Sequence, residues 1–84
     1  MTETIWYLYM IRCKDGVLYT GITTDISRRF AEHQMGKGAK FLRGKAPLEL
    51  VYQQEVDSHS DALKLEIKTK KLSKAEKEKL IQSI

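Results

Sequence analysis

A single cysteine, Cys13, excludes a disulfide framework and a cysteine-rich zinc site in this 84-residue chain. No base stands near Cys13 in sequence, so it reads as a small apolar filler at a strand end and not as a nucleophile. The two histidines share no metal-ligand spacing. No stretch approaches the ~20 apolar residues of a membrane-spanning helix. The amino terminus has no basic region followed by a long apolar run, so no signal peptide is expected and the chain reads as soluble and cytoplasmic. Internal repeats, linkers and low-complexity segments are absent. The glycines around residue 40 lack the spacing of a phosphate-binding loop before a helix, which excludes a nucleotide site of that kind.

What is present suits one small domain, residues 1–84. The hydrophobic fraction of 42% is enough for a core. A chain of this size buries only roughly 60% of its unfolded surface, so modest stability is expected. The net charge of +4 favours an anionic partner, nucleic acid first.

The stretch from Tyr7 to His33 organises the rest. Residues 5–13 read as a strand with apolar and aromatic residues on both parities, covered on both faces and therefore interior to its sheet. Trp6, Leu8 and Met10 share one face; Tyr7, Tyr9 and Ile11 share the other. Lys14-Asp15-Gly16 is a turn with two competing registers. A two-residue loop separates Tyr9 and Tyr19 onto opposite faces. A three-residue loop pairs Ile11 with Tyr19 and Tyr9 with Gly21, and leaves a gap beside Tyr9. The longer loop is preferred because it puts Gly16 where a positive φ is needed.

A second strand spans residues 17–22. Thr23, Thr24 and Asp25 all qualify as caps for a helix over about 26–35, ended by Gly36. Ile26 and Phe30 form its buried stripe, with Arg29 and His33 beside it. Residues 36–47 read as a basic, glycine-rich loop. A third strand follows over 48–56. Ser58 and Ser60 can cap a helix reaching about Leu72, and Ser73-Lys74-Ala75-Glu76 is a capping box for a last helix. Leu80, Ile81 and Ile84 are its apolar side. The order β-β-α-β-α-α predicts an α+β fold, a three-stranded antiparallel sheet flanked by helices.

Several residues have two readings. Glu66 is flanked by Ala62, Leu63 and Ile67, which places it on or at the edge of a packed helix face. A carboxylate there is paired or metal-bound; the plain alternative is an exposed partner for Lys70 one turn on. Arg29 and His33 are either a solvated flank or a pair of site residues. Tyr9 and Tyr19 are either strand aromatics or catalytic phenols. Phe41 is either core-facing or free to stack.

Tyr7-Leu8-Tyr9, Tyr19-Thr20-Gly21, Gly21-Ile22-Thr23 leading to Asp25, Arg28-Arg29-Phe30, Glu32-His33 and a glutamate in the helix after the third strand resemble the GIY-YIG nuclease family. The likeness covers nearly the whole chain and is nearest to small stand-alone, UPF0213-like members. The first glycine of the family name is Tyr7 here, and the middle isoleucine of the second tripeptide is Thr20. The chain has no asparagine, whereas some members use one late in the domain.

The resemblance implies an endonuclease that hydrolyses phosphodiester bonds of DNA, or of RNA, in repair or processing. It implies one Mg²⁺ or Mn²⁺ ion at Glu66, with waters filling most of the shell. Arg29 would stabilise charge on the phosphate in the transition state. Tyr19, helped by Tyr9, would position or deprotonate water. A phenol of reference pKa ~10 needs nearby cations for that role, and either tyrosine fits it. His33 would relay a proton or orient a tyrosine. Lys37, Lys40, Arg43 and Lys45 would grip the backbone and Phe41 would stack on a base. Gly16 and Gly21 are structural. Such a small monomer would act on loosely selected nucleic acid or take its specificity from a partner protein. A nucleic-acid-binding module without turnover is the alternative, and a protein-interaction domain built on the last helix is a third.

Overall fold

The computed structural model describes residues 4–83, so Ile84 lies outside the described residues. The elements run β1 (Trp6–Arg12), β2 (Leu18–Thr23), α1 (Ile26–Gln34), a 3-10 turn (Lys40–Leu42), β3 (Glu49–Val56), α2 (His59–Lys70) and α3 (Lys74–Gln82). The sheet is antiparallel in the order β2-β1-β3, so the aromatic-rich β1 is its central strand.

Both faces of β1 are covered, as its two-sided apolar pattern requires. Tyr9, Ile11 and Cys13 join Leu42 and Leu48, with Ile26 and Phe30 of α1 packed against them. Burial pushes the Cys13 thiol up, which suits a filler and not a nucleophile. On the other face Leu8 and Met10 join Tyr52, with Leu65 of α2 and Leu80 and Ile81 of α3 against them. Leu80 and Ile81 of α3 are thus partly buried against this core. Arg12 at the end of β1 grips Glu78 of α3 with both guanidinium nitrogens, one bond measuring 2.9 Å.

The hairpin takes the three-residue loop. Cys13 donates to Val17 O at 2.8 Å, and Gly16 donates to Cys13 O at 2.9 Å. Gly16 sits at φ +88°. Tyr9 therefore faces Gly21 and Ile11 faces Tyr19. Of the three candidate caps for α1, Asp25 does the work: its carboxylate accepts Arg28 N–H at 3.0 Å. Gly36 ends the helix at φ +76°.

Three local expectations need correction. The 36–47 segment is not wholly irregular: it folds into a 3-10 turn that buries Leu42 and leaves Phe41 48% exposed. Two adjacent apolar residues competed for one core position, and the turn sends the aliphatic one inward. Helix α2 stops at Lys70, two residues short, because Lys71 already caps it. Its packed face is Ala62, Leu65, Glu66 and Thr69, at i, i+3, i+4 and i+7. Leu63 and Ile67 point outward, 41% and 57% exposed. Small residues at 62 and 69 let the helix lie close to the sheet, and that places Glu66 on the packed side.

Gly16→Ala should lower stability by roughly 1–2 kcal/mol, the cost of a Cβ at left-handed φ. Urea unfolding followed by circular dichroism checks this; an unchanged midpoint would contradict the turn.

Candidate active site

The registers of β1 and β2 put Tyr9 and Tyr19 on one face, with ring centroids 6.4 Å apart. The Tyr9 phenol lies across Gly21. A Cβ there would stand 2.6 Å from Tyr9 Oη, so glycine is needed for this close approach.

His33 is not a flank residue. It is 2% exposed and sits beneath the loop. Ala39 N–H donates to His33 Nδ1 at 3.2 Å, and His33 Nε2 lies 2.8 Å from Tyr9 Oη. An Nδ1 that accepts carries no proton, so Nε2 does, and it donates to the Tyr9 hydroxyl. Tyr9 keeps its own proton free to donate elsewhere. Burial, then the neighbouring Arg29 charge, holds His33 below its ordinary 6.5. The imidazole is neutral, as both bonds require. Gly38 lets the loop close over it: a Cβ at Gly38 would overlap the imidazole.

Tyr9 is 2% exposed. Its pKa is raised from 10.0 to about 12, first by burial and then by Tyr19, with Glu66 adding to the rise and Arg29 opposing it. Such a phenol is ionised in about one molecule in 10⁵ at neutral pH. It is a hydrogen-bond donor before it is a base. Tyr19 stands edge-on to the His33 ring, centroids 5.6 Å apart, and against Phe41, centroids 6.0 Å apart.

Arg29 reaches the same spot from α1, one turn before His33, and pairs with Glu32 at 3.1 Å. Glu66 reaches it from α2. Its side chain is 20% exposed and its Oε2 lies 3.3 Å from Lys70 Nζ. Glu66 therefore pairs with Lys70 while only partly exposed, and its charge helps to raise the Tyr9 pKa. Tyr9, Tyr19 and His33 thus converge, and the charges of Arg29 and Glu66 act on the Tyr9 hydroxyl. The loop cations do not. Lys37, Lys40 and Arg43 are exposed around the loop. Lys45 is held by Asp15 at 3.5 Å, and its ammonium stands 4.3 Å above the Phe41 ring. Gly38 and Ala39 were missed as parts of the site, and no local spacing signals them. Glu32 and Lys70 were legible, as the glutamate beside His33 and the lysine four after Glu66.

A family model described as the GIY-YIG catalytic domain matches residues 5–79. The chain is 57% identical over 81 residues to a UPF0213 protein of Yersinia pestis, covering 96% of this chain and 85% of that one. A UPF0213 protein of Yersinia pseudotuberculosis matches to the same extent. This chain belongs to the GIY-YIG family. The solution NMR structure of a UPF0213 protein from Bacillus halodurans superposes with a TM-score of 0.60 at 44% identity, covering 93% of this chain and 83% of that one. That of a protein from E. faecalis gives 0.66 at 34% identity, with 98% and 90% covered. The fold is that of a nuclease superfamily, which points to nucleic acid as substrate.

GIY-YIG nucleases generally use divalent metal ions, and the donor set here can be tested against that. Among the described residues no group of three or more histidines, cysteines and acids could hold a metal. That excludes a closed, zinc-like shell. One half-buried carboxylate beside phenolic oxygens fits a hard cation held jointly by water and substrate phosphate. Glu66 is the residue that would hold it.

The lowered pKa of His33 has a definite sign. Unfolded His33 takes up a proton near pH 6.5, while the native imidazole resists it. Native stability is therefore complete above that value and is lost as pH falls from there toward the lowered native pKa. His33→Gln should flatten this part of the profile. Urea midpoints measured from about pH 7.5 to about pH 5 check it; parallel profiles for both proteins would refute the buried neutral imidazole.

Proposed function

We propose that this chain is a metal-assisted endonuclease, a single 1–84 domain cutting phosphodiester bonds of DNA, with RNA the alternative. The observation behind the reading is the convergence on one phenol: His33 donates to Tyr9 Oη, and Arg29 and Glu66 act on it with opposite charge. A structural tyrosine needs none of the three.

In this reading Tyr9 donates a hydrogen bond from its free hydroxyl to a phosphate oxygen, with His33 fixing its direction. Tyr19, on the open side, positions the water and, once surrounding cations have favoured loss of its own proton to solvent, accepts the water's proton as the phenolate. Arg29 leaves Glu32 for the non-bridging oxygens and stabilises the extra charge of the transition state. Glu66 would hold one Mg²⁺ or Mn²⁺, which when bound would supply neutralisation of the phosphate. Lys37, Lys40 and Arg43 attract the strand without reading its sequence. A cytoplasmic monomer acting in repair or processing, with a partner protein adding specificity, fits such a small surface.

The second reading is a binding module without turnover, favoured by the Glu66–Lys70 pair at 3.3 Å, which a plain helix flank also makes. Cleavage of labelled single-stranded, duplex and branched substrates with Mg²⁺, Mn²⁺ or chelator separates the two. Arg29→Ala should cost roughly 10²–10³-fold in rate. Glu66→Gln should fall comparably and shift the Mg²⁺ dependence while nucleic-acid binding holds. If Glu66 only pairs with Lys70, the change costs no more than ~0.5 kcal/mol in stability and leaves activity alone. No cleavage by the parent protein on any substrate would favour the binding module.

Neutralising Lys37, Lys40 and Arg43 together should weaken nucleic-acid binding and flatten its salt dependence, because fewer counterions are released. Fluorescence anisotropy at several salt concentrations measures the slope. An unchanged slope would move the grip elsewhere.

A further inference from the structure

A cavity of about 290 Å³ opens beside Tyr19, lined by Leu18, Tyr19, Thr20, Phe41, Lys70 and Lys77. Two features of its wall are unexplained by the fold. Phe41 is 48% exposed yet packed on Tyr19. Lys77, on α3, is half-buried and makes no ion pair among the described residues.

Apolar wall and cationic rim are together the complement of a nucleotide. A base lies against carbon, and a phosphate pairs with ammonium groups. The volume is at the lower end of the roughly 300–1,000 Å³ of small-molecule sites, room for one base and not for a duplex.

The geometry points to this cavity as a subsite for one unstacked nucleotide of the strand being cut, next to the nucleotide held at Tyr9 and Arg29. Its base rests against Leu18 and Phe41, and its phosphate is held by Lys70 and Lys77. Tyr19 is the shared wall between subsite and site, so the strand crosses the β2 edge. The inference rests on the nuclease reading. It adds that α3 takes part in binding, and that the substrate is single-stranded where it meets this edge. Lys70 then has two partners in turn: Glu66 in the free protein, phosphate in the complex.

The test is a titration of the whole chain with a 5′-phosphorylated thymidine dinucleotide and chelator, followed by backbone amide NMR. Shifts should cluster at Leu18 to Thr20, Phe41, Lys70 and Lys77. Phe41→Ala and Lys77→Met should each weaken binding about tenfold, while Lys77→Arg should retain it. Spectral dispersion reports folding of each variant. Parent-like affinity in both Phe41→Ala and Lys77→Met, with binding still lost in Arg29→Ala, would overturn the subsite and leave the nuclease reading intact. No binding of dinucleotide or longer strands by the parent chain would overturn both.

Discussion

Two hydrogen bonds on one buried imidazole tie the working parts of this molecule together. His33 accepts from Ala39 N–H and donates to Tyr9 Oη. The first bond anchors the basic loop to α1. The second fixes the phenol on the central strand. A histidine with one proton can serve both only in the neutral Nε2–H form, so the geometry sets the tautomer and burial maintains it. Protonation would set Nδ1–H against Ala39 N–H and loosen loop and phenol at once. The close approaches follow from the same constraint: Gly21 makes room for the phenol and Gly38 makes room for the ring. Two glycines far apart in sequence serve a single hydrogen-bond chain.

Much of this was legible beforehand, and the failures have physical reasons. The hairpin register was readable because Gly16 is the last residue of a three-residue loop, where the positive φ falls, and that register pairs Tyr9 with Gly21. The central place of β1 was readable from apolar residues on both parities. The cap of α1 was not, since Thr23, Thr24 and Asp25 carry equivalent oxygens and backbone geometry chooses among them. Leu63 and Ile67 misled because apolar character was taken for burial, whereas α2 packs through Ala62 and Thr69. The burial of His33 was not legible in a local pattern. It depends on a loop folding back from residues 38 and 39, a contact that no helical period encodes.

The charges are arranged in a way that composition alone conceals. A net +4 suggests a surface of free cations, yet those nearest the phenols are already paired. Arg29 is held by Glu32, Lys70 by Glu66 and Lys45 by Asp15. Pairs this exposed are each worth about 0–1 kcal/mol, so a phosphate can replace the carboxylate at little cost. The internal acids do not block the site. They hold the cations extended in place, which lowers the side-chain entropy still to be lost when an anion arrives.

Strength and exchangeability differ across the sheet for this reason. Arg12 and Glu78 form a two-pronged bond between β1 and α3. The Arg29–Glu32 and Glu66–Lys70 pairs nearer Tyr9 are single contacts of 3.1 and 3.3 Å between partly exposed groups. Strong pairing fastens the helix that supports the sheet, and weak pairing surrounds the phenol that meets the substrate. The half-buried Lys77 departs from this pattern among the described residues, and it lies on the cavity beside Tyr19. A cation set into a wall without a carboxylate is not held in reserve by an internal partner. Its counter-ion has to come from solution, and beside a nuclease-family phenol the anion best matched to it is the phosphate of a bound strand.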